Sequence, residues 1–133
     1  MQRKAIRTIT NSTYSEHTGP LFTDLGILPF EKIIYLNKAL FMHAIEYGYN
    51  IDSFNNIWTK NNARNINQEL RNADQYLLPN IRIEQIRKFP LYSFPKLWND
   101  IGNTRFHHNR TTFKIALTSE LLNSILDNNE TNM

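Results

Sequence analysis

The sequence predicts a mainly α protein, a small helical bundle with a short extended or β-hairpin-like segment near residues 81–94. Three observations carry that expectation. Apolar residues recur every three or four positions over 29–47 and again over 113–126, the spacing that puts them on one side of a helix. Gly26 and Gly48 fall where helical patterns stop, the usual place for a left-handed C-terminal residue. Between 76 and 94 the pattern changes, and apolar residues near-alternate with charged ones without a helical period.

With 133 residues the chain is long enough for one domain with a core of its own. Hydrophobic residues make up 41% and charged residues 20%, and the mean hydropathy of -0.51 reflects Asn, Thr and Gln rather than charge. Asn weakens helices locally by competing for backbone hydrogen bonds, so the apolar clusters must do the folding. The expected organisation is a single helical domain over 1–126 and a disordered tail over 127–133.

Residues 2–10 read as a short basic helix, with Arg3, Lys4 and Arg7 on one side and Ala5, Ile6 and Ile9 on the other. It starts without a capping residue, as though cut from a longer helix. Pro20 is expected to open a short helix over 21–25 that Gly26 ends. The longest helix is expected over 29–47, with Ile33, Leu36, Leu40, Ala44 and Tyr47 as its stripe. Ile34, Phe41 and Ile45 form a second flank, so this helix should be buried on more than one side. A further helix can start at Asp52 or Ser53, placing Phe54, Ile57 and Trp58 on one face. Residues 59–75 read as a loop or fraying helix held only by Ile66 and Leu70.

"FPLYSFPKLWND", residues 89–100, is an aromatic knot in a polar chain. Pro90 and Pro95 argue against one helix or strand running through it. A short helix over 95–101 should instead offer Leu97, Trp98 and Ile101 to the core, and aromatics flanked by prolines are expected inside. Thr112 is the expected N-cap of the last helix, 113–126, with the stripe Phe113, Leu117, Leu121 and Ile125.

Reaction chemistry finds little support. Cys is absent, which removes disulfides, Cys-ligated zinc and thiol nucleophiles. The adjacent His107 and His108 lie far in sequence from His17 and His43, without metal-ligand spacing, and read as part of a polar loop. Carboxylates are spread singly, whereas two-metal phosphoryl transfer needs them clustered. There is neither a Gly-rich phosphate loop nor a serine nucleophile elbow. The expectation is therefore no catalytic residue, no metal, no cofactor, no small-molecule ligand and no enzyme. No apolar run approaches a membrane span and the N-terminus lacks an apolar signal core, so an intracellular protein without a membrane partner is expected.

The formal charge of +3 is a mild excess, enough to tolerate a polyanionic partner but too small to establish one. Arg3, Lys4 and Arg7 on the first helix, and Arg82, Arg87 and Lys88 beside the aromatic knot, are the candidate phosphate contacts for RNA or DNA. Tyr92, Phe94 and Trp98 are candidates to stack on bases, although core packing is the plainer reading for Phe94 and Trp98.

Six motifs in order also resemble the region downstream of the polymerase core in reverse transcriptases of jockey-like non-LTR retrotransposons. They are the basic helix Gln2 to Arg7, the turn His17 to Phe22, Leu25 to Pro29, Phe41 to His43, the group Phe94, Pro95, Trp98 and Asn99, and Phe113 with Lys114. The resemblance covers nearly the whole chain, to about Leu126. It implies a thumb-end and carboxy-terminal region without the catalytic palm or endonuclease domain, expected to help hold template RNA or primer duplex. None of the matched positions is catalytic in that family. The expected function is thus a non-catalytic reverse transcriptase-like fragment with weak, sequence-independent nucleic-acid affinity. Its alternatives are a structural or protein-interaction helical module and an unselected transposon remnant. Oligomeric state is left open.

Overall fold

The computed structural model describes residues 1–63 and 71–131. Among these the protein is mainly helical, with α1 Gln2–Ile9, α2 Thr18–Asp24, α3 Phe30–Glu46, α4 Pro90–Asp100 and α5 Arg110–Thr131, joined by short 3-10 turns. The chain divides into two compact units. One comprises residues 1–37 with 111–133, the other residues 38–110. The boundaries fall inside α3 and in the first turn of α5, so no linker composition marks them. Helix α5 continues through residues 127–131, where a disordered tail was expected; residues 132–133 lie outside the described residues, as do Ile66 and Leu70.

In the first unit α1 packs on α2. Of the apolar side expected for α1 only Ile6 is buried, while Ala5 and Ile9 are exposed. Each of the first two helices ends on a left-handed residue. At α1 this is Asn11 (φ 54), with Ser12 N–H bonded to Arg7 O at 2.9 Å and Asn11 N–H to Thr8 O at 3.3 Å. At α2 it is Gly26 (φ 63), with Ile27 N–H on Phe22 O and Gly26 N–H on Thr23 O, both at 3.0 Å. Such paired bonds satisfy carbonyls that the helix itself leaves open. The Gln2 amide fastens the approach to α3, donating to Leu28 O at 3.0 Å and accepting from Phe30 N–H at 2.7 Å. Pro29 O then accepts from Lys32 and Ile33, so Pro29 caps α3 rather than opening it from within. Leu36 is buried as expected, but Ile33 and Ile34 are exposed. From α5 the side chains of Phe113, Leu117 and Leu121 are buried and Ile125 is half-buried, which is the expected stripe. The helix begins at Arg110, so Thr112 sits in its first turn rather than capping it.

In the second unit α3 buries Ala39, Leu40, Met42, His43 and Ala44. These positions run round the helix, as a helix covered on more than one side requires. The helix expected after Asp52 is only a 3-10 turn, Asp52–Phe54, and Ile57 is exposed. No strand forms among the described residues, and the one antiparallel bridge joins Lys60 and Tyr76. Residues 77–83 are irregular, but the expected hairpin is replaced by a 3-10 turn at Ile86–Lys88 and then by α4. Ile83, Ile86 and Phe89 are all exposed, so no buried face exists to fix a strand register.

Helix α4 runs through both prolines of the aromatic knot. Pro90 stands at the first helical position, where its missing N–H costs nothing. Pro95 lies in the interior, where it cannot bond the carbonyl four residues back, Leu91 O. That carbonyl accepts the Trp58 indole Nε1–H at 3.2 Å instead. The Trp58 ring also stacks on Phe94, with centroids 6.2 Å apart, and Phe41 meets both rings edge-on. The helix thus survives its proline because a distant donor supplies the lost bond. Trp58→Phe is expected to cost about 1–2 kcal/mol in urea unfolding. In a Pro95→Ala background the cost should shrink, because the alanine N–H now serves Leu91 O; a double-mutant cycle measures the difference.

Trp98 is 2% exposed, and Leu97, Pro95 and Ile101 are buried with it. The second half of the knot therefore closes the interior of this unit, whereas Phe89 and Leu91 in its first half are exposed.

Candidate nucleic-acid interface

The six cations fall into two groups in separate units. In the first unit α1 holds Arg3 and Lys4 exposed and Arg7 half-exposed, on the side that the i, i+1, i+4 spacing predicts. Arg3, Lys4 and Arg7 line a depression of about 700 Å³ together with Thr8, Asn11, Ser12 and Tyr14. Arg3 and Lys4 make no ion pair with a described residue. Arg7 is oriented, its Nε and Nη2 donating to Glu16 O at 3.3 and 3.1 Å. Its guanidinium lies 5.2 Å from the centroid of the Tyr14 ring. Tyr14 was not among the residues read from the sequence. The signal available for it was an aromatic residue alone in a run of turn formers, with no apolar partner to pack on.

In the second unit Arg82 and Lys88 are exposed, but Arg87 serves the local fold. Its Nε and Nη2 donate to Ile81 O at 3.2 and 3.0 Å, Nη1 pairs with Glu84 at 3.2 Å, and the guanidinium sits 5.9 Å over Tyr92. That pinning draws part of its charge away from an outside phosphate. Among the expected stacking residues Trp98 is inside the core, and Phe94 is half-buried between Trp58 and Phe41. Lys38 Nζ lies 5.8 Å from the Phe94 centroid. Tyr92 is half-buried as well.

Two polar clusters in the second unit hold structure. His43 is fully buried, and its Nε2 bonds the His107 carbonyl at 2.8 Å. Tyr47 OH donates to Arg105 O at 2.8 Å, and the His108 ring leans on Tyr47 at 4.5 Å. The histidine-rich loop is thus tied down by α3, a pairing invisible in sequence because 64 residues separate His43 from His107. Burial, and then the nearby Arg110 charge, hold the His43 pKa below its ordinary value of 6.5, against the opposing pull of the His107 carbonyl. An unfolded His43 takes up its proton near 6.5, whereas the folded one resists it. Stability is therefore full above about pH 6.5 and falls as the pH drops below it. Denaturation midpoints measured down to pH 5 should show this decline, and a His43→Gln variant should flatten it.

The second cluster joins Glu46, Lys60 and Tyr76. Lys60 pairs with Glu46 Oε1, and Tyr76 OH donates to Glu46 Oε2 at 2.6 Å. Burial first, then the Glu46 bond, push the Tyr76 hydroxyl far above the ordinary tyrosine range. The Asn99 side chain grips the Tyr76 backbone at both N–H and C=O, each at 2.9 Å. A phenol held so firmly protonated is a strut rather than a base. Among the described residues no group of three or more His, Asp or Glu converges as a metal site would require, and no helix is long and apolar enough to cross a membrane.

Comparison with protein-family models, with curated proteins and with solved structures finds no match.

Proposed function

We propose that the protein is a non-catalytic helical nucleic-acid-binding module inside the cell, corresponding to the region that follows the polymerase core in jockey-like reverse transcriptases. One observation carries the binding part of this reading: Arg3, Lys4 and Arg7 gather on one depression, and the first two pair with no acidic side chain among the described residues. Cations presented in this way neutralise phosphates and release counterions, which gives affinity without sequence preference. The order of the six sequence motifs supports the relationship to that family. Arg82 and Lys88 extend the basic character in the second unit, with Arg87 as a weaker contributor.

Alanine at Arg3, Lys4 and Arg7 together is expected to weaken RNA binding at least tenfold in fluorescence anisotropy, since each lost phosphate contact removes part of the electrostatic affinity. Alanine at Arg82, Arg87 and Lys88 should cost less, because Arg87 is occupied by Glu84 and Ile81. Unchanged affinity in the first triple variant overturns the proposal.

A protein-interaction module is the second reading. It draws on Phe30, Ile33 and Ile34, which leave an apolar face of the first half of α3 exposed. Light scattering separates the two readings, because self-association through this face predicts a stable oligomer.

A further inference from the structure

The proposed phosphate contacts leave Tyr14 unexplained. Its ring is 91% exposed, so it contributes nothing to a core. Yet the turn that carries it makes contacts within itself. Glu16 N–H bonds Thr13 O at 3.2 Å, the Thr13 and Ser15 hydroxyls meet at 3.2 Å, and Thr13 Oγ1 reaches Glu16 Oε1 at 3.4 Å. Arg7 braces the same turn from α1 through two bonds to Glu16 O while lying over the Tyr14 ring. An exposed aromatic that shares the wall of one depression with three cations is an arrangement that offers a π face near phosphate-binding charge.

Resting on the reading of this depression as a phosphate site, we infer that its partner is single-stranded nucleic acid, with Tyr14 as the stacking platform for one unpaired base. Arg3 and Lys4 hold the neighbouring phosphates, and the Arg7 guanidinium, pinned through Nε and Nη2, keeps Nη1 for the same strand. Bases within a duplex are already stacked on each other and gain nothing from an outside ring. An unpaired base presents a free π face, and stacking of this kind tolerates any base. Arg7 is held by two hydrogen bonds before binding, so it loses little conformational freedom when the strand arrives. The Glu16 carboxylate on the same turn is an opposing charge, and Thr13 engages it.

The test compares a short oligouridylate, a duplex RNA of the same length and inorganic polyphosphate by anisotropy and competition at low salt. Wild-type protein should bind the oligouridylate more tightly than either rival. Tyr14→Ala should weaken oligouridylate binding by about tenfold, leave duplex and polyphosphate binding unchanged, and leave the circular dichroism unaltered. Tyr14→Phe should bind as wild type. If Tyr14→Ala binds the oligouridylate normally while the triple variant of Arg3, Lys4 and Arg7 does not, the stacking role fails and the phosphate reading stands. If duplex or polyphosphate competes as well as the oligouridylate, single-strand preference is overturned. If wild type binds none of them at low salt, both readings fall.

Discussion

Replacing Trp98 by alanine is expected to cost about 3–5 kcal/mol of stability, the range for deleting a large buried aromatic side chain. The side chain is 2% exposed and meets the His43 ring edge-on at 6.3 Å, so its removal leaves a buried cavity. Its neighbours cannot easily collapse into the gap. Leu97 is buried beside it, Pro95 has a fixed backbone, and His43 is tied to the His107 carbonyl. Small domains have only about 5–15 kcal/mol in total, so Trp98→Ala should unfold the 38–110 unit near physiological temperature. Urea denaturation followed by circular dichroism measures the loss. A change below about 1 kcal/mol would be the value for a surface residue and would contradict the packing described for the aromatic knot.

Glu46→Leu should be nearly as damaging, at about 3 kcal/mol, because it strands two partners at once. Tyr76 is 5% exposed and its hydroxyl loses its acceptor, while Lys60 loses its counter-charge over the Tyr76 ring. Tyr76→Phe removes the donor alone and leaves Glu46 paired with Lys60, so it should cost only about 1 kcal/mol. The ordering of the two variants, measured under one set of denaturation conditions, is the decisive quantity. Equal small losses would mean that water replaces the cluster without penalty.

Helices α3 and α5 were legible because their apolar periodicity is long enough to survive a few polar interruptions. The burial of Trp98, Leu97 and Ile101 followed from the same spacing. Residues 89–94 were not legible, since Pro95 in isolation forbids what Trp58 permits by bonding Leu91 O from 33 residues away. Near-alternation at 81–89 imitated a strand, but those side chains are solvated and the backbone coils into a 3-10 turn. The burial of His43 escaped notice because its partner carbonyl lies in a distant loop. For the interface, the grouping of Arg3, Lys4 and Arg7 could be read from helical geometry alone. Tyr14 could not, because its position depends on how a turn of Thr and Ser folds back on Arg7. Nor could the occupation of Arg87 by Ile81 O and Glu84, which only the three-dimensional course of the turn brings within reach.

Titrating oligouridylate binding against salt concentration tests the proposed nucleic-acid role most directly. Single strands lose about 0.7 log units of affinity per decade of salt for each phosphate neutralised. Three to six engaged cations therefore predict a slope between about -2 and -4, reduced by about 2 when Arg3, Lys4 and Arg7 are all replaced. Binding that does not respond to salt, or no binding at the lowest salt, contradicts the account.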